Sequence, residues 1–92
     1  MTYWIAVFDI TFTKKCRKKI ERLCGRNKSL EEKLREALRD VAENPYAVGK
    51  KMKGYSDYIR CYVGYRHRLV YRVIGNTVTV FDFDTRENIF YG

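Results

Sequence analysis

From residue 58 to residue 75 the chain reads Tyr-Ile-Arg-Cys-Tyr-Val-Gly-Tyr-Arg-His-Arg-Leu-Val-Tyr-Arg-Val-Ile-Gly, and no other stretch restricts the fold as tightly. Apolar and polar residues alternate with the period of two that a strand requires. The alternation turns at Gly64, resumes, and stops at a second turn signal, Gly75-Asn76. Arg60, Arg68 and Arg72 occupy strand positions where a half-buried sheet more often places Thr, Ser or Tyr, so one sheet face is expected to be cationic. Such a face calls for an anion.

Three strands are expected, over 58–63, 67–74 and 77–83. With Gly75-Asn76 as a two-residue hairpin loop, Val73 faces Val78, Tyr71 faces Val80 and Leu69 faces Asp82. That side is mostly apolar and is expected to receive the helices, together with Ile59, Cys61 and Val63. The same parity pairs Arg72 with Thr79, Val70 with Phe81 and Arg68 with Phe83. It gathers Tyr58, Arg60, Tyr62, Arg68, Arg72, Phe81 and Phe83 on the opposite surface.

The rest of the chain supplies the covering layer. Residues 3–8 are continuously apolar and aromatic, which predicts a strand. Thr11 or Thr13 then caps a helix whose apolar stripe is Phe12, Cys16, Ile20, Leu23 and Cys24. Its other face carries Lys14, Lys15, Arg17, Lys18, Lys19 and Arg22 against Glu21 alone, a pattern equally suited to a solvated face and to an RNA backbone. Gly25-Arg26-Asn27-Lys28 breaks the helix. Ser29 with Glu32 has the spacing of a capping box for a second helix with the stripe Leu30, Leu34, Ala37, Leu38 and Val41. Asn44-Pro45 ends that helix, because proline disfavours helical dihedrals in the residue before it. A basic loop over 47–54 follows, with Met52 anchoring it to the core. The expected fold is therefore α+β, two layers in the order β-α-α-β-β-β, a helix hairpin packed on one face of a twisted, mainly antiparallel sheet.

Ninety-two residues suffice for one domain, 1–92, and leave no room for a second. Nineteen Lys and Arg against eleven Asp and Glu, a net charge of +8, favour a polyanionic partner over mere solubility. Three cysteines without paired spacing argue against a disulfide framework and for a reducing, cytoplasmic setting, and neither they nor His67 show the short paired spacings of a zinc site. No metal or other cofactor is expected. Nor is a membrane span, since no apolar run approaches about 20 residues.

Several motifs in this order resemble the RelE-type toxins of toxin–antitoxin pairs, including their YoeB-like branch. They are Asn44-Pro45, Lys51-Met52-Lys53-Gly54, Arg60, His67-Arg68-Leu69-Val70-Tyr71-Arg72-Val73, and the closing Thr85-Arg86-Glu87-Asn88-Ile89-Phe90-Tyr91. Thr85 stands where members often carry histidine, and Phe90 occupies the place expected of the tyrosine that here is Tyr91. The resemblance implies a metal-independent endoribonuclease, an mRNA interferase that cuts messenger RNA in the ribosomal A site by driving a ribose 2′-hydroxyl onto the adjacent phosphate.

Under that resemblance Arg60, Arg68 and Arg86 bind and stabilise the phosphate, with Tyr91 as the proton-transfer group. Lys50, Lys51, Lys53, Tyr58, Tyr62, Arg66, Arg72 and Phe83 then make up the RNA-binding surface, the aromatic rings among them stacking on bases. A cognate acidic antitoxin is the implied partner, contributing a helix across the basic side or a strand at a sheet edge. Two rivals remain: a toxin like the ParE proteins, which poison DNA gyrase through protein contact, and a non-catalytic RNA-binding module. The plain alternative for the arginines is a surface network with Asp57, Asp82 or Asp84, and for Arg86 an ion pair with Glu87. His67, by parity, belongs to the helix-facing side or its rim.

Overall fold

The computed structural model describes residues 8–89. They form β1 (Asp9–Phe12), α1 (Lys14–Cys24), α2 (Lys28–Glu43), α3 (Pro45–Val48), β2 (Lys50–Met52), β3 (Tyr55–Val63), β4 (His67–Ile74) and β5 (Thr77–Thr85). The strands make one sheet in the order β1-β5-β4-β3-β2, antiparallel throughout except that β1 runs parallel to β5. The α+β class and the helix hairpin are as expected.

Two helix starts follow from local hydrogen bonding. Thr13 caps α1, its Oγ1 accepting from the Cys16 N–H at 3.1 Å. The cap of α2 is Asn27 rather than Ser29: its Oδ1 accepts from the Leu30 N–H at 3.0 Å, and Ser29 lies inside the helix. Asn and Ser are equally good caps, and the earlier one wins because it seats Leu30 at the head of the buried stripe Leu30, Leu34, Ala37 and Val41. Asn44 closes α2 through its N–H to the Asp40 carbonyl and opens α3, where Pro45 takes the first position.

Two strands depart from expectation. Of the strand foreseen over 3–8, only Phe8 is among the described residues, and it lies just before β1; residues 3–7 fall outside them. The expected basic loop contains β2, a three-residue edge strand with Lys50 opposite Arg60. Short, lysine-rich edges discourage pairing with other chains, and they carry no apolar alternation by which to be recognised.

The principal core lies between helices and sheet. Ile59, Cys61, Val63, Leu69, Tyr71, Val78, Val80 and Phe83 meet Cys16, Cys24, Leu30, Leu34, Ala37 and Val41. Buried Tyr71 satisfies its hydroxyl by donating to the Pro45 carbonyl at 2.6 Å. Gly49 lets the chain after α3 press onto the sheet, since a Cβ there would meet Ile59 Cγ2 at 2.5 Å and the Arg60 carbonyl oxygen at 2.8 Å.

The β4–β5 hairpin turns on Gly75, whose φ is +61°, with no positive φ at Asn76, the sign pattern of a II′ turn. Val73 faces Val78 and Tyr71 faces Val80, as the loop length dictates. A bulge then inserts Phe81, so that Val70 pairs with Asp82, Leu69 with Phe83 and Arg68 with Asp84. Phe83 is thereby turned into the core at 0% exposure, correcting its assignment to the outer surface. Asp82 and Asp84 take the outer positions instead.

Candidate functional site

The outer sheet face can be read in rows across the strands. One row is Lys50, Arg60, Val70 and Asp82; the next is Tyr62, Arg68 and Asp84. Arg60 and Arg68 thus share one face, away from the helices. Arg72, opposite Thr79, continues that face, and Tyr58 lies beside it with the Arg72 guanidinium carbon 5.5 Å from its ring centroid. The surface is not bare. Val70 is fully buried at its centre, beneath a small cluster with Met52 and Ile89 against which Tyr58 packs. Met52 does anchor its segment, but to this outer cluster instead of the helix-side core.

Ile89 arrives there because the chain turns back after β5, its N–H donating to the Thr85 carbonyl at 2.9 Å. In the same turn the Arg86 N–H donates to the Arg66 carbonyl at 2.9 Å, which brings Arg86 to the end of the sheet that carries Arg68. The Arg86 side chain is exposed, with Nε 3.4 Å from Glu87 Oε2, the ion pair that the plain alternative foresaw. Tyr91 and Phe90 lie outside the described residues.

Arg68 is tethered on this face. Its Nη1 donates to the carbonyls of His67 at 2.8 Å and Tyr65 at 3.3 Å, and its guanidinium carbon lies 4.0 Å from the centroid of the Tyr62 ring. A guanidinium has five N–H donors in a fixed fork, so anchoring Nη1 orients the edge formed by Nε and Nη2. Tyr62 is 70% exposed and can offer a ring face to a planar partner. Tyr58 is less open, since it packs edge-to-face against Phe81 with centroids 5.3 Å apart.

Arg60 lines two adjoining clefts. One, of about 260 Å³, is walled by Lys50, Lys51, Met52 and Lys53. The other, of about 300 Å³, lies between Lys50, Cys61, Tyr62 and the segment Val48-Gly49. The three lysines of this segment and Arg60 are therefore brought together. Arg66 lies apart, in a cleft on the helix side with Lys33, Tyr65 and His67. Arg72 pairs weakly with Asp57, Nη2 to Oδ2 at 3.9 Å, and its Nε is shut from solvent with no hydrogen-bond partner among the described residues.

His67 sits at the helix-side rim, its ring stacked on Phe83 with centroids 5.5 Å apart. Burial pulls its pKa below the ordinary value; Asp84 and Glu87 oppose that shift and the charges of Arg66 and Arg68 add to it. Burial first, with the nearby carboxylates of Asp82 and Asp40 adding to it, pushes the Cys16 and Cys61 thiols up to about 12, so both are inert core residues.

Sequence reasoning missed Lys19. Its Nζ bridges Asp82 Oδ1 at 2.8 Å and Asp84 Oδ2 at 3.0 Å, tying α1 to β5 beside the outer face. Burial works against both charges, yet hydrogen bonding and mutual attraction hold the Asp84 carboxyl below and the Lys19 ammonium above their ordinary values. The only sequence signal was Asp-Phe-Asp in β5, two carboxylates on one side of a strand. Lys15, Lys19, Tyr58, Phe81 and Asp82 then enclose a further cleft of about 220 Å³.

Residues 10–90 match the family model described as the ParE toxin of the type II toxin–antitoxin system parDE. No curated protein matches the chain. Among solved structures, a YoeB/ParE toxin from Agrobacterium tumefaciens is 22% identical, with a TM-score of 0.75 over 85% of this chain and 98% of that one. A YoeB–YefM complex from Staphylococcus aureus is 24% identical, with a TM-score of 0.73 over 88% and 99%. A mutant of the E. coli toxin RelE in the free state is 26% identical, with a TM-score of 0.71 over 88% and 85%. All share the fold.

Proposed function

This chain belongs to the ParE toxin family of type II toxin–antitoxin systems, and from that premise we propose that it inhibits growth by cleaving messenger RNA on its outer sheet face. The observation that carries the reading is the shared facing of Arg60 and Arg68, with Tyr62 beside both and Lys50 alongside. Attack of a 2′-hydroxyl on its neighbouring phosphate builds negative charge on the phosphoryl oxygens, and preoriented guanidinium groups stabilise that charge without reorganising. Arg68, already tethered through Nη1, presents its remaining edge to two phosphate oxygens. Arg60 and Arg86 complete the cationic surround, Tyr62 stacks on a base, and Tyr91 exchanges the proton. Lys50, Lys51 and Lys53 hold the backbone on the β2 side.

The partner is a cognate antitoxin, as in the complexes formed by structural neighbours. An acidic segment folding across the outer face would occupy the same cations and block the message. The test is induced expression with mapping of message ends, wild type against Arg68→Ala. Cuts that appear on induction and vanish in the variant support the reading; intact message beside arrested growth overturns it.

A second reading is favoured by the matched ParE family itself and by one feature of the structure. The only histidine faces the helix side, and a toxin that poisons gyrase through protein contact needs no proton-transfer group on the sheet. It predicts DNA-damage signalling with message ends unchanged.

A further inference from the structure

Most charges on helix α1 work against its own stability, Arg22 in the last turn and the bridged Lys19 excepted. It carries six Lys and Arg against one Glu, with no acidic residue in its first turn, where Lys14 and Lys15 face the positive end of the helix dipole. Lys14 and Lys18, Lys15 and Lys19, and Lys18 and Arg22 stand four residues apart with like charges; only Arg17 and Glu21 are opposite. Helix α2 keeps itself soluble with four basic and five acidic residues, including the pair Glu31–Arg35 at 3.2 Å. Solubility therefore does not account for α1.

The geometry of the charges is as pointed as their number. Opposite the packed side of α1, Lys14, Lys18 and Arg22 form one exposed line. Each step of four residues advances about 6 Å, close to the separation of neighbouring phosphates along a nucleic-acid strand. Lys15 and Lys19 occupy the flank that shares a cleft with Tyr58 and Phe81, so the basic line runs on to the outer sheet face. Among the described residues, none of the exposed large apolar side chains lies on α1. A protein partner would need an apolar centre to its interface, whereas a phosphate backbone does not.

We infer that α1 docks on the backbone of double-helical RNA through Lys14, Lys18 and Arg22, holding the toxin to a structured RNA while the outer face takes a single strand. The inference rests on the proposed RNA-cleaving role of that face. Its test is the variant Lys14→Gln/Lys18→Gln/Arg22→Gln, titrated with a blunt RNA duplex of about two helical turns over a range of salt. The expected result is an affinity at least about tenfold weaker near 0.1 M salt and a plot of log affinity against log salt shallower by about 2 to 3. At the same time Tm rises by a few degrees, roughly 2–6 °C, because the like-charge repulsion is gone.

Duplex affinity and slope unchanged from wild type would overturn it, and so would a variant that loses binding to polyglutamate while keeping the duplex. The rise in Tm keeps a binding loss from being mistaken for damage to the fold. Cleavage of single-stranded message is read in parallel. An Arg68→Ala protein that still cleaves would overturn the role given to the outer face, and the duplex titration would then decide the role of α1 on its own.

Discussion

At the scale of single residues, Arg68 and Tyr71 show how one hydrogen bond can serve chemistry or stability. Arg68 directs Nη1 at two carbonyls and lies over Tyr62, so its remaining edge is oriented before any substrate arrives. Arg68→Ala is expected to slow single-turnover cleavage by about 10²–10³-fold. Arg68→Lys restores little, because an ammonium has no planar fork. A rate for the lysine variant within a few-fold of wild type would show that charge alone suffices. Tyr71 instead is wholly internal, and Tyr71→Phe removes the donor to the Pro45 carbonyl, a change expected to cost about 1–2 kcal/mol in urea unfolding with catalysis intact. Both residues could be singled out on the alternating strand, but not their partners. Those are backbone carbonyls, which no side-chain pattern advertises.

At the scale of elements, the bulge in β5 and the tie between α1 and β5 carry the consequences. Strand 67–74 was legible to the residue because turn glycines bound it on both sides, and the facing of Arg60 and Arg68 followed from it. The bulge was not legible: Phe-Asp-Phe-Asp alternates on either side of the extra residue, so nothing marks which phenylalanine is spare. The two rings are accordingly unequal. Phe83→Ala empties a fully buried site and is expected to cost about 3–5 kcal/mol, while half-buried Phe81→Ala costs about 1 to 2. Equal losses in thermal unfolding would contradict the register.

The Lys19 bridge also makes a pH prediction. Asp84 is held below its ordinary value, so its contribution is present above the unfolded carboxyl range near pH 4 and fades as pH falls through the lowered folded value. Lys19 is held above its ordinary value, so its contribution is complete below about pH 10 and fades as pH rises through the raised folded value. Lys19→Met is therefore expected to cost about 1–3 kcal/mol at pH 7, because the buried Asp84 carboxylate loses its bonded cation. The gap from wild type should close below about pH 4 as the Asp84 carboxylate protonates. A gap independent of pH would mean that lost packing, not charge, is responsible.

At the scale of the whole molecule, a net charge of +8 is distributed unevenly: α2 is nearly balanced, while α1 and the outer sheet face are strongly basic. A chain of this kind meets its partners through long-range attraction. Association with an acidic antitoxin is expected to slow several-fold or more between about 0.05 and 0.5 M salt, and dissociation to change less. Stopped-flow mixing checks this, and an association rate indifferent to salt would point to an apolar interface instead. The charge balance was plain from composition and its concentration on α1 and one sheet face from the spacing, but the two carboxylates that the β5 bulge sets beside that face needed the strand register. One detail of that register matters beyond this chain. Counting along β5 from a relative that lacks the extra residue would exchange every later side chain between interior and exterior, so residues past Phe81 can be equated across the family only by superposing backbones.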